Sequence, residues 1–416
     1  MKTTYLLLCL LGIGSVSGAG QTKQPQKIGD FIESTSYNEH RRNATRSLQY
    51  TPDGDDFVCI NGKNRFTRAL YGSHTAFRLE TSDRPVFAAY TKKNPKHICF
   101  KLQTSGGTVA LDSTEHCESR YTAGRRSYNL FHPSFEGGNL SIATLALPDK
   151  EGAIWQFNAR NFKGSNPILL TSISEIRNSK LNRNGDMGAD PADSFEAPLQ
   201  PQQLQSCPAQ IDGTLYILLE NQELRTLTTA EGETLFKKAE AARSETASRI
   251  RIETPDPYFN TLGGTLAMAA DGIWDGEVWL HGAIGWRMPL SGWRAAYTGD
   301  VLGWHDRART HFNAYAASQV TEVPNTLPHP AQDSALHLAR SVKKWGTPQY
   351  SNGYICRNPH RNNQMHHYDM NLCYIDELLW HFKWTGDLDY VRQMWPVITR
   401  HLAWEKLNYD PDNDGL

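Results

Sequence analysis

The sequence lacks a surplus of charge of either sign. Its 416 residues hold 43 Lys and Arg against 44 Asp and Glu, so there is no net field to collect nucleic acid, and no nucleic-acid partner is expected. Compact cofactor signatures are missing too. No GxGxxG or GxxxxGKS/T follows a strand, which disfavours a dinucleotide or phosphate-loop enzyme. No CxxC occurs, which argues against a zinc cluster. After the first twenty residues no run of 18 apolar residues is found, so no membrane span is expected. Tryptophan is nearly missing from the first 273 residues, where Trp155 stands alone. The other ten lie between Trp274 and Trp404, and ten of the 15 histidines follow residue 280. The chain reads as two kinds of protein joined together, the second rich in aromatic and imidazole groups. Apolar residues at 39% and charged residues at 21% exclude a disordered or collagen-like protein.

Residues 1–20 carry Lys2, an apolar stretch from Tyr5 to Ile13, and the small residues Ser17-Gly18-Ala19. This is the pattern of a cleaved secretory signal peptide, so a periplasmic or secreted location is expected. Cys9 leaves with it. Six cysteines remain, at 59, 99, 117, 207, 356 and 373. An even count in an exported protein permits disulfides within each half, and isolated buried thiols fit equally well.

Residues 21–228 are expected to form a β-sandwich domain, with a polar lead-in up to residue 50. Short apolar runs such as Phe57-Val-Cys-Ile60 and Thr214-Leu-Tyr-Ile-Leu-Leu219 alternate with Asn and Gly turns, the pattern of an antiparallel sandwich. The segment Arg183–Pro201 reads as a long surface loop. Within 229–253, Leu235, Ala239 and Ala242 recur at helical spacing and predict a linker helix. From 254 to 416 the pattern is helical. Asp256-Pro257 starts one helix, residues 305–320 give another, and Asp333 or Ser334 caps a third. Leu372, Ile375, Leu379 and Phe382 line a fourth. Gly386 and Asp387 then turn the backbone into a last helix from about Leu388 to Leu407, interrupted by Pro396. The last two form an antiparallel hairpin.

The segment Trp384-Thr-Gly-Asp-Leu-Asp-Tyr-Val-Arg-Gln-Met-Trp-Pro-Val-Ile398, with Asp410-Pro-Asp-Asn-Asp-Gly-Leu416, resembles the six-hairpin glycosidase superfamily. Gly62-Lys-Asn-Arg-Phe-Thr-Arg-Ala-Leu-Tyr-Gly72 looks like the sandwich of an uncharacterised branch found in gut polysaccharide degraders. The resemblance implies a β + α multidomain protein: an N-terminal antiparallel β-sandwich, a linker helix, and an (α/α)6 toroid. It also implies an exported glycoside hydrolase with an oligo- or polysaccharide substrate. Twelve toroid helices need more residues than follow Asp256, so the toroid is expected to be partial, truncated at its C-terminal end.

Glycoside hydrolysis needs one carboxyl to protonate the leaving oxygen and another to activate water or attack carbon. The densest acidic segment is Asp271-Gly-Ile-Trp-Asp-Gly-Glu-Val-Trp-Leu-His281. Asp275 and Glu277 are the leading catalytic candidates, with Trp274 and Trp279 as sugar-stacking faces. Asp300 and Asp369 are further catalytic candidates. Arg287, Trp293, Arg294, Trp304 and His305 suit hydroxyl or uronate recognition. His366, His367 and Tyr368 precede a helix whose start is expected to face a cavity. Core packing is the competing reading for each Trp, and helix capping for Asp369. Glu322 is a secondary acid, and Glu377 reads as exposed and structural. Asp410, Asp412 and Asp414 match the first half of a calcium loop without its closing Glu, so no metal or other cofactor is expected. A polysaccharide lyase using His367, Tyr368 and Arg294, or a non-catalytic glycan-binding protein, are the alternatives.

Overall fold

The computed structural model describes residues 50–72, 76–90, 95–148, 150–164, 166–176, 203–283, 287–292, 295–321, 326–328, 348–350, 352–361, 369–410 and 413. All of them lie in the unit that begins at Gln49.

Two antiparallel sheets face each other. The first has eight strands in the order Thr51–Asp53, Asp56–Ile60, His116–Thr122, Arg125–Phe131, Asn139–Ala146, Gly152–Arg160, Thr214–Glu220 and Glu223–Leu227. The second runs Gln203–Gln210, Ile168–Glu175, Lys96–Thr104, Val86–Tyr90, Arg78–Thr81 and Arg68–Tyr71, and Gly107–Ala110 pairs the far end of Lys96–Thr104. Alternation sets the faces: Cys117, Ser119 and Tyr121 turn inward from one strand, Arg126, Tyr128 and Leu130 from the next, as a period of two requires. Trp155 fills the centre. Its ring lies edge-on to Phe87 at 5.5 Å and Phe100 at 5.7 Å, so the two sheets meet through quadrupole-favoured aromatic contacts.

Helix α1 (Thr229–Ala247) lies on the outer face of the eight-stranded sheet, where Leu235, Phe236 and Ala239 cover Ile154, Tyr216 and Leu218. It starts in a capping box, with Thr228 Oγ1 accepting from the Glu231 N–H and Glu231 answering the Thr228 N–H, so two orphan donors are satisfied together. Gly232 permits the close approach: a Cβ there would sit 2.2 Å from the Tyr216 ring. Arg125–Glu240 at 3.1 Å and Arg243 Nη1 to the Ala123 carbonyl at 2.8 Å tie α1 back to the sandwich.

Beyond α1 come α2 (Pro257–Asn260), α3 (Leu262–Gly272), α4 (Tyr297–Val301), α5 (His305–Ala316), α6 (Asp369–Thr385) and α7 (Leu388–Tyr409). The sandwich agrees with the sequence, but the partial (α/α)6 toroid does not. Among the described residues only six helices follow Thr254, and their lengths run from 4 to 22 residues. Among the described residues only α6 and α7 follow one another as two long helices; α3 and α5, of 11 and 12 residues, are separated by the short α4. The reason lies in the Gly-, Pro- and Trp-rich connections. Residues 273–283 and 287–292 carry isolated bridges, Trp274 against Trp279 and Leu280 against Pro289, in place of further helices. The α6–α7 hairpin does form. Gly386 adopts φ +64°, a conformation that favours glycine, and Asp387 Oδ1 accepts from the N–H groups of Asp389 and Tyr390. Helix α7 continues through Pro396.

The segment expected to be capped by Asp333 or Ser334, the loop 183–201, and residues 1–20 lie outside the described residues. Cys59, Cys99, Cys117, Cys356 and Cys373 are free thiols, and burial pushes the Cys117 thiol up to about 12, which makes it inert. Among the described residues no helix is long and apolar enough to cross a membrane.

Candidate functional site

Helix α3 ends at Gly272, and the next residues build a tight hairpin. Asp275 Oδ1 accepts from the backbone N–H of Glu277 at 3.0 Å and of Val278 at 2.8 Å. The Asp275 N–H reaches the Val278 carbonyl at 3.2 Å, and Gly276 takes φ +101° at the tip. This closed turn places Asp275 and Glu277 in solvent while Trp274, Val278 and Trp279 are buried at its base. Glu277 pairs with His360 Nε2 at 2.6 Å.

Trp274, Trp279 and Trp304 belong to the core. Trp274 and Trp279 pack on each other with centroids 4.7 Å apart. Arg307 lies over Trp304 at 4.2 Å and Trp274 at 5.6 Å, and pairs with the buried Asp271 at 2.7 Å. Arg249 sits 5.2 Å from the Trp304 ring. The packing reading describes these three side chains.

Asp300 is buried in α4 and braces three helices. It pairs with His305 Nδ1 at 2.7 Å at the start of α5, and with His381 Nδ1 of α6 at 2.9 and 3.0 Å. Arg287 donates from Nη1 to the Gly272 carbonyl at 3.1 Å. Burial pulls its pKa down, and Asp275 opposes that shift. Asp369 is the first residue of α6; its side chain lies outside the described residues. So do Trp293, Arg294, Glu322, His366, His367, Tyr368, Asp412 and Asp414. Asp410 ends α7, where its N–H reaches the Lys406 carbonyl. Among the described residues no group of three or more His, Cys, Asp or Glu side chains is placed to hold a metal ion.

The structure adds residues that the sequence reading passed over. Tyr315 of α5 is wholly buried, yet its hydroxyl makes no hydrogen bond among the described residues. Burial drives its phenol well above the usual range. Asp275, Glu377 and Glu277 push the same way, and Arg357 opposes them. Three carboxylates and a guanidinium therefore bear on one phenol. Glu377, expected to be exposed, is 2% exposed. It also raises Tyr297 and Tyr374, so it sits among tyrosines. His311 supports the group from below. Its Nδ1 accepts the Trp279 N–H at 3.2 Å, and its ring lies 4.9 Å from Tyr315. Burial lowers its pKa to about 3, so it stays neutral.

The signal for Glu377 was in the helix period. It falls three residues after the buried Tyr374 and four before the buried His381, but its charge outweighed its position in the reading. Tyr315 carried no sequence signal, because its partners come from turns and helices far along the chain.

A separate groove of about 340 Å³ opens where the sandwich, α1 and α3 meet, lined in part by Thr122, Arg243, Ser248, Asn260 and Thr261. None of the expected site residues lines it. No curated protein matches the chain. A family model described as a domain of unknown function, DUF4450, matches residues 95–250, so the similarity covers the sandwich from its Lys96 strand through α1 and ends before the acidic turn.

Proposed function

We propose that this protein is an exported glycan-acting hydrolase that cleaves O-glycosyl bonds of a complex oligo- or polysaccharide, with carboxyl groups of the Asp275–Glu277 turn and Glu377 as its acid and base. The observation that supports this reading is a solvated acidic turn at Asp275 and Glu277 beside a buried Glu377, the charges of all three raising the phenol of Tyr315. Two carboxyls in unlike surroundings divide the acid and base roles. Here Glu377 is buried and the turn carboxyls are solvated. Water can reach Asp275 and Glu277, which suits the base or nucleophile, while Glu377 faces a dry interior, which suits proton donation. Burial keeps the Tyr315 phenol protonated. Export follows from the leader pattern of residues 1–20.

The lyase alternative gains nothing from Tyr315. A tyrosine base needs a lowered pKa, and this phenol is raised.

The test is turnover of a panel of plant and host polysaccharides, followed by new reducing ends. Wild type should release them, and D275N, E277Q or E377Q should each lose at least about 100-fold in kcat/KM for the residues in the acid and base roles. Unsaturated products would replace the hydrolase by a lyase. Binding without turnover in wild type would leave a glycan-binding protein. Full activity in all three variants would end the assignment of these carboxyls.

A further inference from the structure

We propose that Arg78, a residue of the sandwich, is a positioning residue for the acidic turn, acting through the carbonyl of Gly272. The catalytic consequence rests on the reading of that turn given above; the structural one does not.

Helix α3 stops at Gly272, three residues before Asp275. A helix end leaves carbonyls without intrahelical partners and with partial negative charge. At this end two guanidiniums meet one oxygen: Arg78 Nη2 donates to the Gly272 carbonyl, and Arg287 Nη1 donates to it at 3.1 Å. Arg78 comes from a strand 194 residues earlier. It is fully buried, and burial together with the neighbouring Arg287 charge lowers its pKa to about 9. Holding two like charges near one carbonyl, one of them out of water, opposes folding. An aliphatic side chain would pack there without that penalty. What an aliphatic side chain would not supply is a fixed, directional fork of donors.

The fork is itself held. Arg78 Nη1 donates to the Phe77 carbonyl at 2.5 Å, and the guanidinium lies over the Tyr71 ring at 4.8 Å. The same Tyr71 ring presses on Gly272, where a Cβ would meet its Cγ at 2.6 Å. Gly272 is thus gripped from the sandwich side by Tyr71 and Arg78. On the other side the Arg287 guanidinium bonds the same carbonyl, and the Asp275 charge favours its charged form. The sandwich, the Gly272 carbonyl and Arg287 are joined by hydrogen bonds, and the backbone leads from Gly272 to Asp275. A shift of Gly272 would be passed to the turn within three residues.

The test uses the full-length protein with R78M, which keeps the length and loses the donors, and R78K, which keeps the charge and loses the fork. The readout is the exciton circular dichroism of the Trp274–Trp279 pair, whose rings stand 4.7 Å apart at 55° on the two flanks of the turn. W279F identifies the signal by abolishing it. R78M should lower the couplet at least twofold, and R78K should restore part of it. A wild-type couplet in R78M overturns the proposal whatever the activity. Should R78M fail to fold, R78K alone decides, since an unchanged couplet there also overturns it. A weakened couplet in R78M alongside full turnover in D275N and E277Q would support the positioning role and remove the catalytic reading of the turn.

Discussion

Replacing Tyr315 by Phe measures what an unsatisfied buried hydroxyl costs this fold. The ring would keep its edge-on contact with His311 at 4.9 Å and its packing against Tyr374 at 6.3 Å, so no cavity opens. Only the hydroxyl is lost, and among the described residues it has no hydrogen-bond partner. A buried polar group left unsatisfied opposes folding by about 1–3 kcal/mol. Y315F should therefore be more stable than wild type by roughly 1–2 kcal/mol. With a urea slope of about 3 kcal/mol/M, that is a midpoint increase of roughly 0.3–0.7 M. Tryptophan fluorescence reports the helical region directly, since Trp279 packs on the His311 ring that Tyr315 touches. The hydroxyl is buried, so the same variant should keep its glycan affinity. A Y315F variant destabilised by about 1 kcal/mol or more would refute the reasoning, because the hydroxyl would then have a structural partner, such as an ordered water.

Two further outcomes follow from the fold. Burial holds His97 at about 4 and His311 at about 3, below the unfolded value of about 6.5. Between those values the unfolded state takes up protons that the folded state refuses. Stability is therefore complete above about pH 6.5 and falls as the pH drops toward 4, by roughly 3 kcal/mol for His97 alone. Urea midpoints at pH 7 and pH 4.5 measure this, and H97Q should shrink the difference. Gly232 lies inside α1, where Gly to Ala ordinarily adds about 1 kcal/mol. Here a Cβ would lie 2.2 Å from the Tyr216 ring, so the clash should outweigh propensity and G232A should lose roughly 1–3 kcal/mol. A stabilised G232A in thermal melts would show that α1 can lift off the sheet.

Local rules made much of this molecule legible. Alternating apolar residues and Asn or Gly turns announced the strands, because a sheet buried on one face must alternate. The linker helix, the α6–α7 hairpin and the Gly386–Asp387 break were readable, since caps and breakers act within a few residues. Asp275 and Glu277 were singled out from a short segment that folds back on itself, and proximity in the sequence became proximity in space. The expected toroid failed for the converse reason. Apolar spacing after residue 254 reported helical stretches, but it carried no information on how short helices pack around bridged turns.

Burial of polar groups was equally invisible. Glu377 and Tyr315 bear ordinary surface chemistry and are interior only because α5 and α6 pack face to face. Arg78 reaches the end of α3 only because the sandwich is docked there. Sequence by itself determined the strands, the linker helix, the last hairpin and the acidic turn, all products of forces that decay within a few residues. Tertiary structure alone decided which carboxyl is buried, which tryptophans are core, and which arginine grips Gly272. Those outcomes depend on desolvation and contact between segments far apart in the sequence.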